Sequence, residues 1–183
     1  MPRYRRAFVP GGTYFFTAVT HQRRPILLGD SGRRCLRAAL AAVRQRFPFG
    51  CEAIVLLPDH LHTIWTLPPG DDRYDLRWQR FKRLFTDAYL SAGGVEGDRT
   101  ASRVRRQERG VWQRRFWEHT VRDEDDFKRC LDYLHYNPVK HGLASRVTDY
   151  PWSTFHRWVT HGEYEPEWGT GFVCPDIPGA EWE

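Results

Sequence analysis

The chain has 183 residues, of which 40% are apolar and 28% are charged, and this size suggests one domain or one domain with extensions. No apolar run approaches the roughly 20 residues that cross a bilayer, so a membrane protein is excluded and we expect a cytoplasmic one. The four cysteines form no CxxC pair, which rules out a cysteine zinc cluster and argues against a disulfide scaffold.

The net charge of +5 is distributed unevenly along the chain. Residues 1–122 contain 23 basic and 11 acidic side chains, whereas residues 123–183 contain 5 basic and 12 acidic ones. The basic excess in the first part favours a polyanionic partner. Arginine supplies 25 of the 28 basic residues. Arginine is the better bidentate ligand for phosphate, although a coding bias would produce the same ratio.

The first part of the chain predicts a strand, a helix and a hairpin. Thr13–Val19 is rich in aromatic and β-branched residues, which favours a strand. Apolar residues at helical spacing predict a helix over residues 31–47. Two apolar runs, 52–57 and 60–67, are separated by a Pro-Asp turn, so we expect them to pair as a hairpin.

The second part predicts a helix, a loop, a strand and another helix. Helical spacing of apolar residues covers residues 76–90. Residues 91–110 contain four glycines and few large apolar side chains, which predicts a mobile basic loop. A strand is expected around 116–121. A helix should begin at the acidic residues from 123 and end before Pro138.

The order β, α, β, β, α, β, α predicts an α+β fold, in which an antiparallel sheet has helices packed on one face. We assign residues 1–160 to this domain. Residues 161–183 form a predicted acidic C-terminal tail, which could compete with a polyanion for the basic surface.

The sequence His60-Leu61-His62 lies in a predicted strand. Side chains two residues apart on a strand point to the same face, so both imidazoles can approach one divalent ion. Two histidines on a strand face are also often surface or hydrogen-bonded residues. The chain has no HExxH motif, so a protease-type zinc site is not indicated.

Tyr133 and Asn137 are four residues apart and therefore share a face of the last predicted helix. Tyr133 lies about 100° from Leu134 on a helical wheel, away from the centre of the apolar stripe, so its hydroxyl can reach a site. The alternative is a surface tyrosine followed by an asparagine at the helix end. The residue before proline disfavours the α region, which leaves the direction of Asn137 open.

A basic stripe follows the helix predicted around residues 76–90, and aromatic residues alternate with its charges. Its members are Arg73, Arg77, Arg80, Lys82 and Arg83. Cations beside the rings of Tyr74 and Trp78 are what single-stranded nucleic acid requires. The alternative is a solvated helix face without a ligand.

Four motifs together resemble the HUH-type tyrosine transposases of the IS200 class, and more closely the family members associated with repetitive extragenic palindromes (REPs). The motifs are Leu57–Trp65 (LPDHLHTIW), Trp112–His119 (WQRRFWEH), Asp132–Gly142 (DYLHYNPVKHG) and Pro151–Arg157 (PWSTFHR). The opening Tyr4–Arg6 with Gly11–Thr17 also fits. The resemblance runs from about residue 3 to residue 160.

The resemblance implies a ferredoxin- or RRM-like HUH fold and a site for Mg²⁺ or Mn²⁺. His60 and His62 match the metal-binding histidines, and Tyr133 matches the nucleophile. Asn137 matches the position that completes the metal site, where the family often has glutamine. The implied activity is a metal-dependent single-stranded DNA endonuclease and strand transferase at REP hairpins, with a 5′-phosphotyrosine intermediate. The alternative is a domesticated protein that binds hairpin DNA or RNA without cutting it.

The expected partner is therefore single-stranded hairpin DNA, and we expect the protein to be nucleoid-associated. Besides the basic stripe, the candidate DNA-binding residues are Arg5, Arg6, Arg114 and Arg115. No GxxxxGK[ST] phosphate loop is present, so no nucleotide cofactor is expected. A monomer is favoured over a homodimer.

Overall fold

The computed structural model describes residues 6–175 and residue 177 and contains one four-stranded antiparallel sheet. The strands are β1 (Thr13–Val19), β2 (Gly50–Leu56), β3 (His60–Thr66) and β4 (Trp117–Thr120), in the order β2-β3-β1-β4. The α-helices are α1 (Asp30–Arg46), α2 (Tyr74–Ser91), α3 (Ala101–Arg105), α4 (Glu124–Lys140) and α5 (Phe155–Thr160). The α+β class and the antiparallel sheet are confirmed.

The helices cover both faces of the sheet, whereas the sequence predicted one face. Phe16 and Trp65 point into an apolar cluster with α1 and α2. Phe15 and Ile64 point the opposite way, into a second cluster with α4. The reason is that β1 and β3 are buried at nearly every position, so both of their faces must be shielded from water.

The segment predicted as a mobile loop is folded. Its short helix α3 is capped by Thr100, whose side chain accepts a hydrogen bond from the Arg103 amide. Glu96 forms ion pairs with Arg99 and Arg109. Gly110 must be a glycine, because a Cβ there would lie 2.1 Å from a backbone oxygen across the loop. Ion pairs and close backbone contacts therefore stabilise this segment, which has few large apolar side chains.

Described residues beyond the predicted domain boundary at residue 160 pack into the apolar cluster around α4. Tyr164 and Ile177 are each 5% exposed in the apolar cluster around α4. The Tyr164 hydroxyl donates a hydrogen bond to Asp132 of α4, and its ring lies 4.7 Å from that of Trp168. The acidic composition of this segment concealed its aromatic anchors. Residues 176 and 178–183 lie outside the described residues.

The described helices include none with the length and apolar character needed to cross a membrane.

Candidate metal and nucleophile site

The two histidines of the HxH sequence lie on β3 and face α4. His60 is 2% exposed and His62 is fully buried. Their ring centroids are 5.1 Å apart. The two-residue period of the strand therefore places both imidazoles on one face, as the sequence predicted.

A carboxylate fixes the orientation of the His60 ring. His60 Nδ1 lies 2.7 Å from Asp59 Oδ1, and Arg23 forms an ion pair with the same carboxylate at 3.0 Å. Burial would raise the pKa of Asp59, but the hydrogen bond from His60 and the ion pair with Arg23 lower it below its usual value. Asp59 is therefore ionised at neutral pH and accepts a hydrogen bond from the N–H group at Nδ1 of His60. His60 Nε2 then presents a lone pair, as a metal ligand must.

His60 Nε2 is a buried atom with no hydrogen-bond partner among the described residues. Buried polar atoms in native proteins are nearly always paired, so such an atom indicates a missing ligand or water. Together with the carboxylate behind the ring, this makes His60 suited to hold a divalent ion.

His62 is held from the neighbouring strand. The β1–β3 register places Thr17 opposite His62, and Thr17 Oγ1 lies 2.9 Å from His62 Nδ1. This contact directs the Nε2 side of the ring away from β1. Tyr133 of α4 packs edge-on against His62 with ring centroids 5.7 Å apart, and it is 1% exposed. The predicted nucleophile and the predicted metal ligands are therefore neighbours.

Hydrogen bonds at its first turn hold α4 against the sheet. Asp123 caps the helix by accepting from the Asp126 amide at 2.8 Å. Asp126 in turn lies 2.9 Å from His119 Nε2 of β4 and forms ion pairs with Arg122 and Arg129. Burial would raise the pKa of Asp126, but the hydrogen bonds from Arg122 and His119 hold it far below its usual value.

The predicted end of this helix at Pro138 is wrong, because α4 continues to Lys140. Pro138 lacks one amide donor, but it is buried and packed, and the His141 amide still bonds to the Asn137 carbonyl. Asn137 is therefore inside the helix, one turn after Tyr133, and is fully buried. The sequence left the direction of Asn137 open. In the structure Asn137 shares a helix face with Tyr133.

Two residues that the sequence interpretation left out of the site lie over it. Lys140 Nζ donates a hydrogen bond to the Tyr133 hydroxyl at 3.1 Å and lies 4.7 Å from the ring centroid. The His141 ring is 5.3 Å from the His60 ring. Lys140 is seven residues after Tyr133, which is two helical turns, so a helix that continues to residue 140 places both side chains on one face. The predicted helix ends before Pro138 and therefore does not include Lys140.

A second cluster of potential ligands is not suited to metal. One ligand atom from each of His119, Asp126 and Cys130 lies within 4.8 Å of the others. Asp126 is already occupied by Arg122 and Arg129. Burial raises the pKa of the Cys130 thiol to about 12, so the sulfur stays protonated at neutral pH and is a poor ligand.

Two residues of the predicted basic stripe have structural roles instead. Arg77 is 2% exposed, forms an ion pair with Asp71 at 2.7 Å and donates to the Pro48 carbonyl. Lys82 donates to the carbonyl oxygen of Gln113 at 2.8 Å, and burial lowers its pKa to about 7. These two assignments to DNA binding are corrected, because neither side chain offers a free cation to solvent.

The other predicted DNA-binding residues differ in how exposed their charges are. Four of them have acidic partners, in the pairs Arg6–Glu118, Arg73–Asp75, Arg83–Asp87 and Arg114–Glu108. The side chains of Arg80, Arg83 and Arg115 are exposed. Because α2 packs on the sheet face opposite to His62, Arg80 and Arg83 are remote from the histidines. Arg5 lies outside the described residues.

Comparison with known proteins finds relatives that are all of one kind, although no protein-family model matches the chain. A REP-associated tyrosine transposase of Escherichia coli is 42% identical over 168 residues, which cover 92% of this chain and 91% of the relative. A Haemophilus influenzae protein of the same kind is 42% identical over 169 residues, covering 92% and 94%. The solved structure of a REP-associated tyrosine transposase bound to a REP hairpin has a TM-score of 0.79 at 38% identity, covering 97% and 95% of the chains.

Proposed function

Because the chain belongs to the family of REP-associated tyrosine transposases, we propose that it binds REP hairpins and cuts and rejoins single-stranded DNA through Tyr133. The observation that carries this proposal is the convergence of Tyr133 with His60 and His62 on one face of the sheet. All of the proposed site residues come from a single chain. A monomer is therefore sufficient for the proposed reaction.

The proposed reaction exchanges one phosphate ester for another. The Tyr133 hydroxyl loses its proton to solvent and its oxygen attacks the phosphorus atom. The bond to the 3′ oxygen breaks and this oxygen takes up a proton from solvent, so a 5′-phosphotyrosine and a free 3′-hydroxyl remain. Rejoining reverses these bonds with a 3′-hydroxyl as the attacking group. The number of phosphate ester bonds is conserved, so the exchange needs no nucleotide cofactor.

Lys140 supplies charge at the reacting atom. Its ammonium donates to the Tyr133 oxygen, so it stabilises the phenolate that forms when the hydroxyl loses its proton. The same contact stabilises the tyrosine oxygen as a leaving group during rejoining. Because Tyr133 is buried beneath Lys140, the position of this side chain also controls the approach of DNA to the nucleophile.

His60, His62 and Asn137 would hold the divalent ion, with Mg²⁺ or Mn²⁺ as the proposed species. When bound, the ion would neutralise charge on a phosphate oxygen and orient it for attack. Asp59 and Thr17 contribute by fixing the two imidazole rings before any ligand arrives. The buried Nε2 of His60 is the observation that supports the fit.

The test is incubation of the protein with labelled REP hairpins and Mg²⁺ or Mn²⁺, followed by denaturing electrophoresis. The unmodified protein should cut the strand and form a covalent protein–DNA adduct, and Tyr133→Phe should form neither product. Tyr136→Phe is the matched control, because Tyr136 lies on the same helix but packs against Trp168. Cutting by Tyr133→Phe would refute the nucleophile. Hairpin binding without any cutting would favour the non-cutting alternative.

A further inference from the structure

We propose that His141, at the C-terminal end of α4, is a further protein ligand of the divalent ion that His60, His62 and Asn137 would hold. The family resemblance assigns the ion to those three residues only, so His141 adds a third imidazole to the site. This inference rests on the proposed function, because it concerns the ion that this function requires.

The His60 ring lies between two other imidazoles. Its centroid is 5.1 Å from that of His62 and 5.3 Å from that of His141. Imidazole nitrogens bind a divalent ion at about 2.1 Å, so the centroids of two rings that share one ion lie roughly 4.5–5.5 Å apart. Both measured separations fall within this range.

The angles between these rings also suit a shared ion. The His60 plane makes an angle of 82° with that of His62 and 73° with that of His141. The lone pair of an imidazole nitrogen lies in the plane of its ring. Lone pairs of parallel stacked rings therefore cannot meet at one point, whereas those of steeply inclined rings can. The three histidines have the inclined arrangement.

The face of α4 that carries Tyr133 continues to His141. Tyr133, Asn137 and His141 are four residues apart in turn, and each step of four advances only about 40° around a helix. Tyr133 packs against His62, and His141, two turns later, packs against His60. Asn137 therefore lies between these two contacts along α4. Two ligands four residues apart on a helix can reach the same ion.

The helix end fixes the place of His141. Its amide donates to the Asn137 carbonyl at 3.0 Å, so it still belongs to the last turn. Gly142 then adopts a φ of +66°, which a residue with a side chain rarely does. The Gly142 and Leu143 amides donate to carbonyls of the last turn at 2.9 and 2.8 Å, which closes the helix. The chain therefore turns away directly after His141, whose imidazole remains over His60.

His141 approaches the site from the solvent side. His60 is 2% exposed and His62 is fully buried, whereas His141 is exposed. His60 Nε2 has no hydrogen-bond partner among the described residues, so no hydrogen bond at this atom explains the contact with His141. A shared ion would satisfy His60 Nε2 and give the neighbouring imidazole a role.

The enlarged ligand set leaves room for the substrate. Three imidazole nitrogens and the Asn137 amide oxygen would occupy four positions of an octahedral ion. The remaining two positions would accept a phosphate oxygen and a water molecule, and a catalytic ion must keep such open positions. His141 therefore adds a ligand without closing the site.

His161 provides a matched control. It is an exposed histidine at the C-terminal end of α5, and it is followed by Gly162 with a φ of +79°. Trp158 of α5 donates to the Glu52 carbonyl at 3.1 Å, in the part of β2 that is distant from His60. His161→Ala therefore removes the same side chain from the same backbone setting, but away from the proposed ion.

The experiment titrates the metal-free, full-length protein with Mn²⁺ in the absence of DNA and measures the free ion by electron paramagnetic resonance. His141→Ala should weaken Mn²⁺ binding by about 10-fold or more, because even a group that only orients a ligand changes metal affinity by about 10- to 100-fold. His161→Ala should bind Mn²⁺ as the wild type does. His60→Ala shows the affinity that remains when the site is lost.

A second measurement separates a ligand from a residue that only packs on His60. The electron spin echo of bound Mn²⁺ is modulated by the nitrogen nuclei of its imidazole ligands. At equal saturation with Mn²⁺, this modulation should be weaker in His141→Ala than in the wild type and unchanged in His161→Ala. Weaker binding with unchanged modulation would show that His141 only orients His60, and would overturn the inference.

Unchanged Mn²⁺ affinity in His141→Ala would also overturn it. Binding that His60→Ala leaves unchanged would refute the metal site of the proposed function, and this inference with it. Binding that depends on His60 but not on His141 would refute this inference alone. Adduct formation tests Tyr133 separately and does not enter the comparison. Thermal melting checks the folding of His141→Ala, and His141→Ser decides the result if that variant does not fold.

Discussion

Asp126→Asn tests how α4, which carries Tyr133, is fixed to the sheet. The Asp126 side chain is 6% exposed and lies at 2.9 Å from His119, 3.1 Å from Arg122 and 3.2 Å from Arg129. It also accepts from the Arg122 backbone amide at 3.1 Å. Asparagine has nearly the same shape but no charge, so the substitution removes the electrostatic part of these contacts.

The size of the loss in stability caused by Asp126→Asn depends on which of these contacts are buried. Solvent screens both arginine side chains, since they are 65% and 52% exposed, so their ion pairs add little. The bonds to His119 and to the backbone amide are shielded and contribute about 1 kcal/mol or more each. We expect Asp126→Asn to lower the free energy of unfolding by about 2 kcal/mol, which is roughly 4–8 °C in Tm for a chain of this size.

The stability difference between wild type and Asp126→Asn should depend on pH. Because the folded-state pKa of Asp126 is depressed, its contribution is fully present above the unfolded pKa near 4 and is lost as pH falls towards the folded pKa. The difference at pH 3 should therefore be about 1 kcal/mol smaller than at pH 7. Other carboxyl groups titrate in both proteins and cancel in the comparison.

The assay is urea unfolding of both proteins at pH 7 and pH 3. Asp125→Asn is the control, because it makes the same charge change in the same helical turn at an exposed position. Its effect should stay within about 0.5 kcal/mol. If Asp126→Asn is as stable as Asp125→Asn, or if the difference does not change with pH, the buried contacts do not anchor α4 as described.

Two further predictions concern the site and the C-terminal segment. Lys140→Met should slow formation of the Tyr133 adduct by about 10- to 100-fold in single-turnover assays, since it removes a charged hydrogen bond of about 1.5–3 kcal/mol. Lys128→Met is the control. Equal rates for the two variants would contradict a role for Lys140. Removal of residues 161–183 should lower the free energy of unfolding by about 3 kcal/mol or more, because Tyr164 leaves the core. Unchanged melting with tighter DNA binding would instead support a separate inhibitory tail.

The site was predictable where it depends on local geometry. His60 and His62 share a face because the strand period is two, and this holds whatever the rest of the chain does. Tyr133 and Asn137 required the family resemblance as well, because a helix face alone does not say what it faces. Lys140 was missed because the rule that proline ends helices describes the isolated chain. Packing around the buried Pro138 overrides it in the folded protein.

The basic stripe shows why the charge pattern was harder to interpret than the strand pattern. Tyr74, Trp78, Phe81 and Phe85 repeat at helical spacing, and all four are buried. The aromatic residues that were interpreted as stacking rings for DNA are therefore the core-facing side of α2. Arg77 lies next to this side, so it is drawn into the interior and pairs with Asp71. Periodicity identifies residues that share a face, but the total apolar area of each face decides which one is buried.

Net charge in the first 122 residues consequently overstates the charge available to DNA. Arg77 is buried, Arg6 and Arg114 are paired with acids, and the exposed Arg80 lies across the sheet from the nucleophile. The exposed arginines of α1 are the exception, because the β2 edge brings them to the end of the sheet that carries His60. Strand order therefore determines where on the surface the basic side chains can contact a polyanion, because it brings together residues more than a hundred positions apart. Amino-acid composition contains no information about strand order.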